Sequence, residues 1–316
     1  MLEYTVRRLL LGVLTALLVS VLIFVILRVA PGDVVDIILG GEGAFYSEEA
    51  AHEIREQLGL LDPLHVQYLT FMRDFVTLHW GVSFVDGKDI WGQIRVRLPV
   101  TLELMFFTIT LATVVGLPLG IVMALKQDTW MDYVLRIFSL AGLSIPNFWT
   151  GTMIVLIGTL YFNWSPRLEY VNPFEDPAGN FFMFFWPACA LGWVTMATRA
   201  RMMRSSMLEV LRQDYIRTAH AKGLSYSAVV WRHAMKNAFI PVITIIGISI
   251  AITIGGSVIM ETIFMLPGMG QFLIYSLTRW DYPVVQTVVL FMAMWIVIVN
   301  LSVDLSYGWF DPRVRF

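Results

Sequence analysis

Asp214-Tyr215-Ile216-Arg217-Thr218-Ala219-His220-Ala221-Lys222-Gly223-Leu224-Ser225 is a short polar stretch set between two long apolar ones. Its spacing predicts a helix of about eight residues that Asp214 can cap, with Gly223 in a left-handed conformation at its end and Ser225 capping the next helix. Small residues at Thr218, Ala219 and Ala221 leave little bulk to hold another backbone away, so the element suits a groove in a second protein. Around it, residues 199–236 carry eight Lys/Arg against Glu209 and Asp214. The preceding helix can continue to about Leu211, with its arginines at the headgroup surface, where an anionic leaflet attracts them. A basic hairpin lying on anionic lipid is the plainer reading of the same residues.

The flanking apolar stretches decide the class. Of 316 residues, 57% are AVILMFWYC and 15% are DEKR, with a mean hydropathy of +0.70. Soluble chains average about 45–50% apolar and about 25% charged, so this one lacks the polar material to coat a water-facing surface. A helix needs about 20 nearly charge-free residues to cross hydrocarbon. Six runs qualify: 9–27, 104–125, 137–166, 177–198, 237–260 and 282–303. The third contains Pro146 and reads as one tilted helix, kinked or re-started there. The expectation is an all-α integral membrane protein with six transmembrane helices and a small external helical segment after span one. The first run has a longer apolar core than a signal peptide and no cleavage pattern after it, so it reads as a retained anchor.

Lys/Arg flanks set the orientation. Arg7 and Arg8, Lys126 and Arg136, segment 199–236, and Arg313 and Arg315 fall on one side, which places both termini in the cytoplasm. The chain then divides into an N-terminal anchor helix (1–30), an external helical segment (31–98) and a five-helix core (99–316) that contains loop 199–236. The external segment opens on Pro31-Gly32-Asp33, and it holds eleven Asp/Glu, five Lys/Arg and three His. Ser47 precedes Glu48 and Glu49 as a capped, acidic first turn, closed by Gly59, and a second helical pattern runs over 66–78. The histidines lack metal-ligand spacing. The net charge of -2 argues for no nucleic-acid partner, and the single Cys189 excludes an internal disulfide.

Asp214 to Ser225, followed by Trp231-Arg232-His233-Ala234-Met235-Lys236-Asn237, resembles the coupling loop of permeases in binding-protein-dependent ABC importers. The likeness is closest to the oligopeptide/dipeptide/nickel permease family, and to the first permease of the pair. Further matching stretches are Ala30-Pro31-Gly32-Asp33, Leu98-Pro99-Val100-Thr101-Leu102-Glu103, Ile145-Pro146-Asn147-Phe148, Pro267-Gly268-Met269-Gly270 and Asp281-Tyr282-Pro283. His220 stands where that family usually has arginine, and Val34 where it usually has proline.

The resemblance implies a type I ABC importer permease fold in a bacterial or archaeal cytoplasmic membrane, forming half of a translocation pathway. It implies three kinds of partner besides the bilayer's lipid: a second homologous permease, two ATP-binding cassette subunits that bind ATP and Mg, and an external solute-binding protein. Asp214, Tyr215, Arg217, Thr218, Ala219, His220, Ala221, Lys222, Gly223 and Leu224 are the implied ATPase-coupling residues. Ser257 and Glu261 lie on span five, which resembles the pathway-lining helix. The chain has no Gly-x-x-x-x-Gly-Lys-Ser/Thr loop to cradle ATP phosphates, so ATP hydrolysis is expected in the partner subunits, with neither a cofactor nor an enzymatic activity expected of this chain.

Ala112, Gly116 and Gly120 on span two, and Gly247, Ala251 and Gly255 on span five, recur every fourth residue and allow close helix approach, whether for sliding or for static packing. Glu103, Glu261 and Asp304 fall at or near span ends, where interfacial capping is the ordinary role. An ion-coupled carrier is the rival class, but it usually shows internal repeats, and none is visible here. Short peptides are the favoured solute. Nickel chelates, glutathione and oligosaccharides are the alternatives within the family.

Overall fold

The computed structural model describes residues 2–29, 35, 47–57 and 59–310, and within them the secondary structure is helical. Pro31-Gly32-Asp33, Arg313 and Arg315 lie outside the described residues, as does the side chain of Asp304. The helices are α1 (Leu2–Val29), α2 (Glu48–Gln57), α3 (Leu64–Val76), α4 (Ile90–Leu125), α5 (Trp130–Ser144), α6 (Asn147–Phe162), α7 (Pro177–Leu211), α8 (Asp214–Ala221), α9 (Met235–Ile263), α10 (Met269–Thr278) and α11 (Tyr282–Phe310). A three-residue helical turn (Tyr226–Ala228) and a π-helical segment (Val229–Ala234) lead into α9.

Five of these stretches are long and apolar enough to cross a membrane, and α5 with α6 makes a sixth if the bent pair is counted as one span. Here the structure departs from a single tilted helix, because α5 and α6 meet at 101°. The cause is local. Pro146 has no N–H to donate and disfavours helical geometry in the residue before it, so Ile145 is extended (φ -92°, ψ 124°) and a new helix starts at Asn147. Helix bounds also extend past the charge-free runs, most of all at the start of α4 and the end of α7. α4 begins at Ile90, well ahead of 104, because the run marks only the part hydrocarbon can hold, and Arg95, Arg97 and Glu103 ride on the helix's continuation. After α9, Pro267 and Gly268 lead directly into the ten-residue α10, which lies between the expected spans five and six.

The chain divides into two compact units. The first comprises 1–100 and 267–301. In it, Phe75, Trp80, Ile90, Ile94, Met269, Phe272, Val284 and Val288 form one buried cluster, and Leu27, Ala51, Tyr282 and Val285 form another. The described part of the external segment, from residue 47 on, is therefore folded onto helix ends. Ala50 N–H donates to Ser47 Oγ at 3.2 Å, Gly59 takes φ +65°, and the Ser83 hydroxyl donates to Asp281, whose other oxygen accepts the Phe84 N–H at 3.1 Å. Tyr68 of α3 shares a 2.8 Å hydrogen bond with Ser20 of α1.

The second unit contains 101–266, and α7 is its axis, packed against α5, α6 and α9. Its start is well specified: Pro177 occupies the first turn, and Asp176 accepts the Gly179 N–H at 2.8 Å. Beside it, Gly116 and Gly120 of α4 bring two backbones together. A Cβ at Gly116 would lie 2.8 Å from the Met196 carbonyl oxygen, and one at Gly120 would lie 2.5 Å from that of Ala200.

Candidate functional site

The far end of α7 builds the loop. The helix runs to Leu211, Arg212 and Gln213 turn the chain, and α8 follows with Gln213 as its cap residue. Asp214 is thus the first helical residue rather than the cap, where its charge still complements the helix N-terminus. It lies 3.3 Å from Arg217. The other end is a complete Schellman motif: Leu224 N–H donates to Ala219 C=O at 3.4 Å and Gly223 N–H to His220 C=O at 2.9 Å, with Gly223 at φ +79°. Ser225 then caps the next turn by accepting the Ala228 N–H.

Two residues hold α8 to the body. Ile216 and Ala219 are buried in a cluster with Met203 and Met207 of α7 and Val229, Val230, Ala234 and Ala238 leading into α9. Ala219, one of the implied coupling residues, therefore packs inward. Asp214, Tyr215, Arg217, Thr218, His220, Ala221, Lys222, Gly223 and Leu224 are exposed and form one continuous outer face. Tyr215 Oη accepts from Asn237 Nδ2 at 2.8 Å, and the His220 ring stacks on Tyr226 with centroids 6.1 Å apart.

Ser257 and Glu261, expected near the pathway, are both completely buried. Ser257 donates to Ile254 C=O, and Glu261 accepts from Thr101 Oγ1 at 2.8 Å. On α9 the small residues differ among themselves: Gly247 is buried, Ala251 half-buried, and Gly255 exposed with open space beside it. Ala112 is buried with Gly116 and Gly120 on the α4 face that meets α7. Glu103 accepts from Tyr170 Oη and from Asn180 Nδ2 at 2.9 Å, so it joins α4 both to the segment before α7 and to the first turn of α7. Burial, together with that carboxylate, pushes the Tyr170 phenol above its ordinary pKa.

Two charged arrangements escaped the sequence reading. Arg199 was expected at the headgroup surface with the other arginines of its segment, but its side chain is fully buried. It donates to Ile109 C=O and Thr113 Oγ1 of α4, both at 2.8 Å, and to Ser249 Oγ of α9. Asp132 of α5 is also buried and receives two hydrogen bonds each from Arg136 and Arg204. The Asp132/Arg136 spacing of four was a visible helical pair. No local signal pointed to Arg204 or to the Arg199 acceptors.

Comparison with known proteins agrees with this architecture. Residues 116–316 match the family described as binding-protein-dependent transport system inner membrane component, and residues 1–105 match its N-terminal membrane component. Dipeptide transport system permease protein DppB of Alkalihalophilus pseudofirmus is 38% identical, with both chains covered completely. Di/tripeptide transport system permease protein DppB of Pseudomonas aeruginosa is 37% identical over 100% of this chain and 99% of its own. The Escherichia coli K12 DppB is 38% identical over the same shares. A solved chain described as an amino acid ABC transporter with histidines has a similar fold, with TM-score 0.51 and 15% identity over 70% of this chain and 94% of its own. The chain is a multi-pass membrane protein and belongs to the family of inner membrane components of binding-protein-dependent transport systems.

Proposed function

We propose that this chain forms half of the translocation pathway of an ATP-driven importer of di- or oligopeptides in a prokaryotic cytoplasmic membrane, paired with a second permease. Loop 199–236 faces the cytoplasm, and the outer face of α8 docks in a groove of one of two partner ATPases, which bind ATP and Mg. An external binding protein delivers the solute. The observation that carries the coupling role is the construction of α8: its inner face is buried, its end is fully hydrogen-bonded and its outer face is free. The full-length relatives with dipeptide in their names support the solute class. Apolar side chains exposed on α3, Leu69 and Val76 among them, offer the binding protein a contact at the external face.

Reconstitution in proteoliposomes tests the reading. Dipeptide uptake should require both ATP and the binding protein, whereas uptake driven by an ion gradient alone would overturn it in favour of a carrier. Orientation is tested separately with single cysteines at the exposed Lys88 and Lys222 in a Cys189→Ser background. An impermeant thiol reagent should reach them from opposite sides, and labelling from one side would reject the proposed topology.

A further inference from the structure

Away from α8, a concentration of positive charge lies in the second unit, where the start of α5 meets the far half of α7. A groove of about 470 Å³ there is lined by Arg136, Arg201 and Arg204 together with Leu140, Met202 and Ile245. Two of the guanidinium groups are fixed. Buried Asp132 accepts the Nε and Nη2 groups of Arg136 at 3.1 and 2.6 Å, and those of Arg204 at 3.1 and 2.9 Å. Each arginine is thereby held along one edge, with its Nη1 left over. Arg201 is exposed and forms no ion pair among the described residues. Asp132 and the more distant Asp128, 3.8 Å from Arg136, leave the three arginines with net positive charge.

A second observation sets the depth of this groove. The first turn of α5 exposes Trp130 and Tyr133, the aromatic pair expected at a membrane–water interface, and the same helix then exposes Val134, Ile137, Phe138 and Leu140. Fixed guanidinium groups therefore lie at headgroup level, next to a wall suited to acyl chains. Planar forks of N–H donors match phosphate oxygens, and the cytoplasmic leaflet is the anionic one.

We propose that this groove binds one anionic glycerophospholipid of the cytoplasmic leaflet, with its phosphate among Arg136, Arg201 and Arg204 and an acyl chain along Leu140, Met202 and Ile245. The assignment of leaflet rests on the orientation proposed above. The groove's chemistry does not, so lipid selectivity and thiol labelling can fail independently.

The test uses the assembled transporter in nanodiscs of equal phosphatidylglycerol and phosphatidylcholine, transferred to mild detergent, with retained lipids identified by native mass spectrometry. The wild type should retain phosphatidylglycerol preferentially. Arg201→Gln, at an exposed site outside the Asp132 clamp, should reduce that preference about fivefold, and Arg201→Lys should keep most of it. Equal retention of the two lipids by the wild type, or an unchanged preference in Arg201→Gln, would overturn the proposal. Release of the lipid by excess inorganic phosphate would replace it with a free-phosphate site. Crosslinking of Leu140→Cys to the second permease would show that protein, not lipid, covers the groove.

Discussion

Arg199 and Arg217 are eighteen positions apart and chemically identical, yet one lies at the centre of a helix packing node and the other on the outermost face of the loop. The difference teaches what a count of basic residues conveys in a membrane chain. Charge density predicts the side of the membrane, because that is a property of the segment. It does not predict depth, which depends on whether neighbouring helices supply acceptors. Arg199 has three such acceptors from two other helices. Among the described residues Arg217 pairs with Asp214, in a contact largely open to solvent.

The contrast is broken most forcefully by removing acceptors from the buried arginine. Thr113→Val with Ser249→Ala leaves its charge in place with a single carbonyl, and losing two hydrogen bonds to a charged group should destabilise the protein by about 3–5 kcal/mol. Adding Arg199→Met should restore much of the loss, because it removes the buried charge that the two hydroxyls had satisfied. Thermal unfolding of the purified complex measures both effects. If the triple variant is no more stable than the double, Arg199 is not what the hydroxyls serve. A second strike at the same interface is Gly120→Val, which forces a side chain against the Ala200 carbonyl and should cost about 1–3 kcal/mol by the same assay.

The outer region responds differently. A Cβ at Gly223 would meet nothing within 4 Å, so any effect of Gly223→Val comes from the positive φ alone and should be about 1–2 kcal/mol. Function should suffer more than stability: the variant is expected to reach the membrane and pair with its sister permease, yet lose its ATPases or hydrolyse ATP without import. Co-purification followed by uptake measurements checks this, and import at the unmutated rate with both ATPases retained would remove the glycine from the coupling role. The smallest effect is expected from Arg217→Gln, below about 0.5 kcal/mol, because exposed ion pairs contribute little. A larger shift in unfolding temperature would mean that Arg217 is not the solvent-facing residue described.

These expectations also mark how far the sequence could be read. Helix positions followed from apolar runs and end signals, and Ser47, Gly59, Gly223 and Ser225 all stand where helix ends were expected. The outer face of α8 was legible for the same reason, since its residues act within one turn of each other. What resisted reading was direction and distance. An apolar run reports how much chain hydrocarbon accepts but not the axis of the helix, so Pro146 marked where the run kinks or re-starts but not that the break would reach 101°. Asp132 meets Arg204 across 72 residues, and Arg199 meets Thr113 across 86, separations that carry no periodic signature. Ala219 is buried against α7, which its size alone did not reveal, because a small residue suits a tight internal contact as well as an external one.

The burial of Ile216 and Ala219 has a mechanical consequence. Both side chains lie in a cluster shared by α4, α7 and α9 with its lead-in, and Tyr215 adds a polar strut to Asn237 near the start of α9. A load applied to the outer face of α8 would therefore reach three spans at once, through close-packed atoms with little compressibility. The element has the build of a yoke, seated on three shafts rather than swinging on its own.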